Sequence, residues 1–155
     1  MDLAATLGSR LLVIYDGTCG LCNHTVQWLL ARDRHDRLRF APSSSPAVAA
    51  LLARHGFPSP AAANDKAAED SGPGTILVLR AVATPAEQLF TRSTAVAVAL
   101  AQLPGPWPLA GQLLRLVPLP IRDLGYRLIA RWRYRIWGQL SACPVPTPEE
   151  RSHFL

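Results

Sequence analysis

Apolar positions along this chain alternate between short continuous runs and helical spacing. Arg10 to Tyr15 (RLLVIY) is rich in strand formers and stops at Asp16-Gly17, a turn signal, which predicts a buried strand entering a tight loop. From Leu21 the spacing becomes helical, with Leu21, Thr25, Trp28 and Leu29 on one side and Arg32, Asp33 and Arg34 closing the last turn. Leu38 to Ala41 reads as a second strand ended by Pro42. Pro46 then stands near the first turn of a helix that runs to about His55, with Gly56 as its stop. Phe57 to Gly74 has no apolar period and predicts a long mobile loop. Thr75 to Arg80 and Gln88 to Thr91 predict two strands, joined as a hairpin through Ala83 to Glu87, and Ser93 or Thr94 can cap a helix through Leu103. This order predicts an α/β fold, a central four-stranded mixed sheet flanked by helices on both faces.

Beyond a proline-rich break at Pro104 to Pro108, Trp107 to Val117 and Pro120 to Trp137 are two more helical patterns, separated by Pro118 and Pro120. In the second, Ile121, Leu124, Leu128, Ile129, Trp132 and Ile136 share one face, with Arg122, Arg127, Arg131 and Arg133 beside or opposite it. The chain therefore divides into a domain over 1–104 and, over 105–155, a basic amphipathic helical extension with a proline-rich tail.

With 155 residues, 49% of them hydrophobic, the chain has enough apolar side chains to bury a core. The uncharged stretch Ser93 to Leu114 is broken by prolines, which argues against a transmembrane span. Met1 to Arg10 lacks the pattern of a signal peptide, so a cytoplasmic location is expected. The net charge of +5 is local: six arginines between Trp107 and Trp137 face only Asp123, and the rest of the chain is balanced. The expectation for this basic helix is that its apolar face packs on the core and its arginines stay solvated. The functional alternative is a helix lying on an anionic membrane surface through residues 107–137, where Trp132 and Trp137 suit the interface. Nucleic acid is not expected as a partner, because no aromatic residues are interleaved with basic ones over a sheet.

The candidate chemistry lies in Cys19-Gly20-Leu21-Cys22. Three cysteines do not make a structural disulfide framework, and two of them three positions apart at a helix start lie on one side of its first turn, close enough for a small disulfide ring. Cys19 would sit near unpaired amides and the positive end of the helix dipole, which favour a thiolate. This assigns Cys19 as the attacking nucleophile and Cys22 as the resolving thiol, in a cycle that needs no bound cofactor but does need both sulfurs within reach of solvent. Asp16 opposes a second negative charge and suits capping the loop or moving a proton. The alternative is a non-enzymatic module in which the pair holds zinc, with His24 and Cys143 as further ligands, or senses redox state while the cationic helix docks to a membrane or partner. A c-type haem site is a poorer alternative still, since Asn23 stands where the attachment motif needs histidine. Cys143 itself is expected to be a small buried residue or an idle thiol, with exchange against the pair as the sharper possibility.

The stretch Tyr15-Asp16-Gly17-Thr18-Cys19-Gly20-Leu21-Cys22, followed by Val26, Trp28, Asp33 and Phe40-Ala41-Pro42, resembles the DCC family of thiol-disulfide oxidoreductases, named for the spacing D-x-x-C-x-x-C. The resemblance extends loosely to Ser93-Thr94-Ala95, to Tyr126–Trp137 and to the tail Cys143-Pro144-Val145-Pro146-Thr147. It implies a thioredoxin-like fold and thiol-disulfide exchange with a protein or small-molecule substrate, carried by Asp16, Cys19 and Cys22. Thioredoxin has a proline directly before the threonine that opens its third strand; here Pro73 stands one position too early before Thr75.

Overall fold

The computed structural model describes residues 3–57, 76–141 and 145–155. The fold is built around β1 (Leu11–Tyr15), whose five residues are all buried. Successive strand residues point to opposite faces, so a continuously apolar strand needs cover on both. Leu11, Val13 and Tyr15 pack with Val26 and Leu29 of α2 (Gly20–Leu30) and with Ala95 and Val98 of α4 (Arg92–Leu100). Leu12 and Ile14 pack on the other side with Leu7 of α1 (Leu3–Leu7) and with Val48, Leu51 and Leu52 of α3 (Pro46–Arg54).

β2 (Leu38–Pro42) runs parallel to β1, the crossover being supplied by α2, and β3 (Leu77–Arg80) runs antiparallel to it. β4 (Gln88–Thr91) pairs antiparallel with β3, giving the order β2-β1-β3-β4. This is the expected thioredoxin-like α/β sandwich. Asp33 fixes the turn into β2: its buried carboxylate accepts the amides of Arg37 at 3.0 Å and Leu38 at 2.8 Å. The chain end returns to the same strand, where the amide of Leu155 donates to the carbonyl of Phe40 at 3.0 Å.

Several local expectations are corrected. The buried stripe of α2 is Cys22, Val26 and Leu29, with Leu21, Thr25 and Trp28 only half-buried. The ring of Trp28 meets the edge of Trp107 on α5 (Trp107–Leu116) with centroids 4.6 Å apart, so it ties α2 to the extension as well as to the sheet. Neither Ser93 nor Thr94 caps α4, which begins after Thr91 without a side-chain cap. Their hydroxyls are taken by Arg122 of α6 (Leu119–Trp137), whose Nε donates to Ser93 at 2.8 Å and Nη2 to Thr94 at 2.9 Å, and Ser93 also bonds Asp123. The short helix α1 and the 3-10 turn Glu150–His153 carry no strong sequence period and were not expected. Cys143, Pro73 and nearly all of the predicted 57–74 loop lie outside the described residues.

The largest correction concerns α6. Ile121, Leu124, Leu128, Ile129, Trp132 and Ile136 are exposed, while Arg133 is buried and Arg122 is turned inward. The domain offers polar groups at this contact: the Asp16 carboxylate, the hydroxyls of Ser93 and Thr94, and the amide of Ile76, which donates to the Tyr126 hydroxyl at 3.0 Å. Covering them with apolar side chains would strand buried hydrogen-bonding groups, so the helix presents its polar face to them. Among the described residues, no helix is long and apolar enough to cross a membrane.

Candidate functional site

The turn from β1 to α2 is shaped by Asp16 and Asn23. Asp16 Oδ1 accepts the Thr18 amide at 2.9 Å and the Thr18 hydroxyl at 2.8 Å, and the Asn23 side-chain amide donates to the carbonyls of Gly17 at 2.8 Å and Cys19 at 3.0 Å. Cys19 is the N-cap of α2 in an extended conformation, and its Sγ accepts the Cys22 amide at 3.4 Å. A sulfur thus occupies the place a serine or aspartate oxygen would take, facing the unpaired amides of the first turn. Cys19 and Cys22 are both free thiols.

The two sulfurs are electrostatically unequal. The Cys19 thiol is pulled down from 9.0 to about 6. The hydrogen bond from the Cys22 thiol contributes most, against the cost of burial; the Cys22 amide and the Arg133 charge add to the lowering, and Asp16 opposes it. Cys22 is pushed well above the ordinary thiol range because it donates to Cys19, is buried, and faces the Cys19 charge. One thiolate and one retained proton are what a nucleophile and a resolving partner require at neutral pH.

The extension supplies groups that sequence reasoning treated as solvated. The Tyr134 hydroxyl donates to Asp16 Oδ2, and Arg133 Nη2 lies 3.1 Å from the Tyr134 oxygen and 3.7 Å from Asp16 Oδ2. Arg133 is only 6% exposed, and its Nε has no hydrogen-bond partner among the described residues. Burial works against the guanidinium charge, yet Tyr134, Cys22, Cys19 and Asp16 together hold the proton on more firmly than usual. Tyr134 in turn is pushed up by burial and by its bond to Asp16. A helical arginine at one position in four carries no sign of which face it will take, so nothing in the sequence singled out Arg133.

The pair is also covered. Cys19 is 0% and Cys22 4% exposed, which corrects the expectation of open access to solvent. After α6 the chain turns at Gly138, whose φ of 75° is in the region that favours glycine, and crosses the motif. The Gly20 amide donates to the Gly138 carbonyl at 3.3 Å, the Leu140 amide to the Thr18 carbonyl at 2.7 Å, and Gln139 forms an antiparallel bridge with Cys19. A Cβ on Gly20 would stand 2.4 Å from the Trp137 carbonyl oxygen, so glycine is what lets this strap close. Behind Cys22, a cavity of about 250 Å³ lies between α2, α4 and α6, lined by Leu21, Cys22, Ile76, Tyr126, Ile129 and Arg133 among others.

Cys143, one of the further ligands of the zinc alternative, lies outside the described residues. Among the described residues the cluster able to gather on a cation is Asp33, Asp36 and His153, which includes neither cysteine. Asp33 is committed to two amides and Asp36 to Arg10 at 2.7 Å. His24 lies exposed on α2.

The sequence model of DCC1-like thiol-disulfide oxidoreductases matches residues 13–139, from within β1 to the strap. The chain belongs to this family. A relative of similar length is the uncharacterised protein YuxK of Bacillus subtilis (strain 168), 31% identical over 144 residues, which cover 93% of each chain. A chloroplastic DCC family protein of Arabidopsis thaliana is 28% identical over 136 residues, covering 88% of this chain and 70% of its own. No solved structure gives a significant match. The DCC1-like match takes in the motif, the inward face of α6 and the first residue of the strap's contact with Cys19 together.

Proposed function

We propose that this DCC1-like protein exchanges disulfides through Cys19 and Cys22, in a cytoplasmic setting that keeps the pair reduced between turnovers. The observation that carries the reading is the inequality of the two thiols: Cys19 is lowered to about 6 at the helix N-terminus while Cys22, three residues on, keeps its proton. The Cys19 thiolate attacks one sulfur of a substrate disulfide, forming a mixed disulfide and expelling the other sulfur as a thiolate, which takes a proton from solvent. Cys22 then gives up its proton and attacks Cys19 Sγ, so that the substrate's second sulfur leaves as a thiolate. The substrate gains two electrons and the pair becomes a disulfide, to be reduced by a dithiol donor through the same steps reversed. Asp16 is the carboxylate of the site and the acceptor for the Cys22 proton, with Tyr134 and Arg133 holding it in place.

Residues 138–140 lie where an extended substrate would pair with the Thr18–Gly20 backbone, so substrate entry displaces the strap. The test is trapping. Cys22→Ser incubated with glutathione disulfide should accumulate a single glutathione adduct that maps to Cys19, and Cys19→Ser should show none at Cys22. Adduct at Cys22 in Cys19→Ser, or none at Cys19 in Cys22→Ser, would reverse or remove the assignment.

A further inference from the structure

The inverted placement of α6 leaves a surface that the exchange chemistry does not use. On α6, Leu124, Leu128, Trp132 and Ile136 recur every fourth residue and so form one row along the helix, with exposures of 66%, 60%, 44% and 64%. Ile121 and Ile129 extend it on one side. On α5, Leu109, Leu113 and Leu116 are likewise stacked and exposed, at up to 78% for Leu116. Single exposed leucines need no explanation, but an exposed apolar row running the length of α6, with a second along α5, marks an interaction surface.

Charge decides what it meets. Arg127, Arg131 and Arg135 form a second exposed row, again every fourth residue, directly beside the apolar row of α6, and exposed Arg115 flanks the apolar row of α5. The sole carboxylate between Trp107 and Trp137 is Asp123, which is bonded to Ser93 on the inner side. Trp132, at the centre of the apolar row, stacks with Arg135, whose guanidinium lies 5.4 Å from the ring. An apolar row carrying a tryptophan and edged by arginines, with Asp123 as the only carboxylate between Trp107 and Trp137 and that one turned inward, complements a sheet of anionic headgroups over acyl chains. A second copy of the same face would bring arginine rows together, which disfavours self-association.

We infer that α5 and α6 seat this protein peripherally on an anionic lipid membrane, helices lying in the interface with Leu113, Leu124, Leu128 and Trp132 immersed. The inward face of α6 still holds Arg133 and Tyr134 against Asp16, so the seated helix is continuous with the cysteine site.

The experiment is co-sedimentation of the full-length protein with vesicles of phosphatidylcholine alone or of phosphatidylcholine with phosphatidylglycerol. Binding to the mixed vesicles is expected, weakening at high salt, with little binding to the neutral ones. Leu128→Glu with Trp132→Glu should lower the partition at least tenfold, and each of Arg131→Glu and Arg135→Glu about fivefold or more. Because these side chains are exposed, circular dichroism of the variants should match the parent. Absence of binding to anionic vesicles, equal binding to both vesicle types, or a solution dimer that Leu128→Glu dissociates would overturn the proposal. Trapping at Cys19 is measured without lipid, so its outcome is separate from this one.

Discussion

Reduced protein should show an ultraviolet thiolate absorbance that titrates near pH 6, and Cys19→Ser should abolish it. At pH 7 a thiol lowered from 9.0 to about 6 is roughly nine-tenths ionised, against about one part in a hundred for an ordinary one. The lowered thiol therefore supplies far more nucleophile at neutral pH than an ordinary one. Absorbance reads it without requiring a reagent to pass the strap. Arg133→Met keeps the bulk of the side chain and removes the charge, so the midpoint should rise. A midpoint unmoved in Arg133→Met would show that the guanidinium does not act on Cys19. The same shift links to stability with a fixed sign. Between about 6 and 9.0 the unfolded chain holds a proton that folded Cys19 has shed, so stability rises with pH across that window. The contribution is complete above pH 9.0 and is lost below about pH 6.

Gly20→Ala should expose Cys19. Alanine is the better helix former, so α2 has no intrinsic reason to weaken. The added Cβ would nonetheless stand 2.4 Å from the Trp137 carbonyl oxygen, and a backbone atom cannot turn aside as a side chain can. The strap must shift, with loss of the bonds from the Gly20 amide to Gly138 and from the Leu140 amide to Thr18. Alkylation of a covered thiol proceeds through local opening, and about 1.4 kcal/mol off the opening cost multiplies the rate tenfold. A rise of about tenfold or more in iodoacetamide labelling of Cys19 at pH 7 is expected. An unchanged rate would mean that residues 137–140 do not control access.

The turn that carries the cysteine pair was legible because its determinants are local. A strand-forming run, an aspartate-glycine turn and two cysteines at helical spacing lie within a dozen residues, and hydrogen bonds between Asp16, Thr18, Cys19 and Asn23 close over the same short distance. The sheet followed from the alternation of strands and helices for the same reason. What the sequence did not disclose depends on distant partners. Which face of α6 turns inward is decided by Asp16, Ser93 and Thr94, and the Tyr134 to Asp16 bond spans 118 residues. A hydrophobic period identifies a stripe but not what it faces, and here the side of the helix turned inward is the one that carries Arg122 and Arg133. The strap left little sequence trace beyond Gly20 and Gly138, since it is held by backbone groups that every residue carries.

Equilibration of the wild-type protein in glutathione buffers of graded potential, followed by alkylation and peptide mass, tests the central claim most directly. A single two-electron transition joining Cys19 to Cys22 is the predicted result. Both cysteines remaining separately alkylatable at every potential would contradict it.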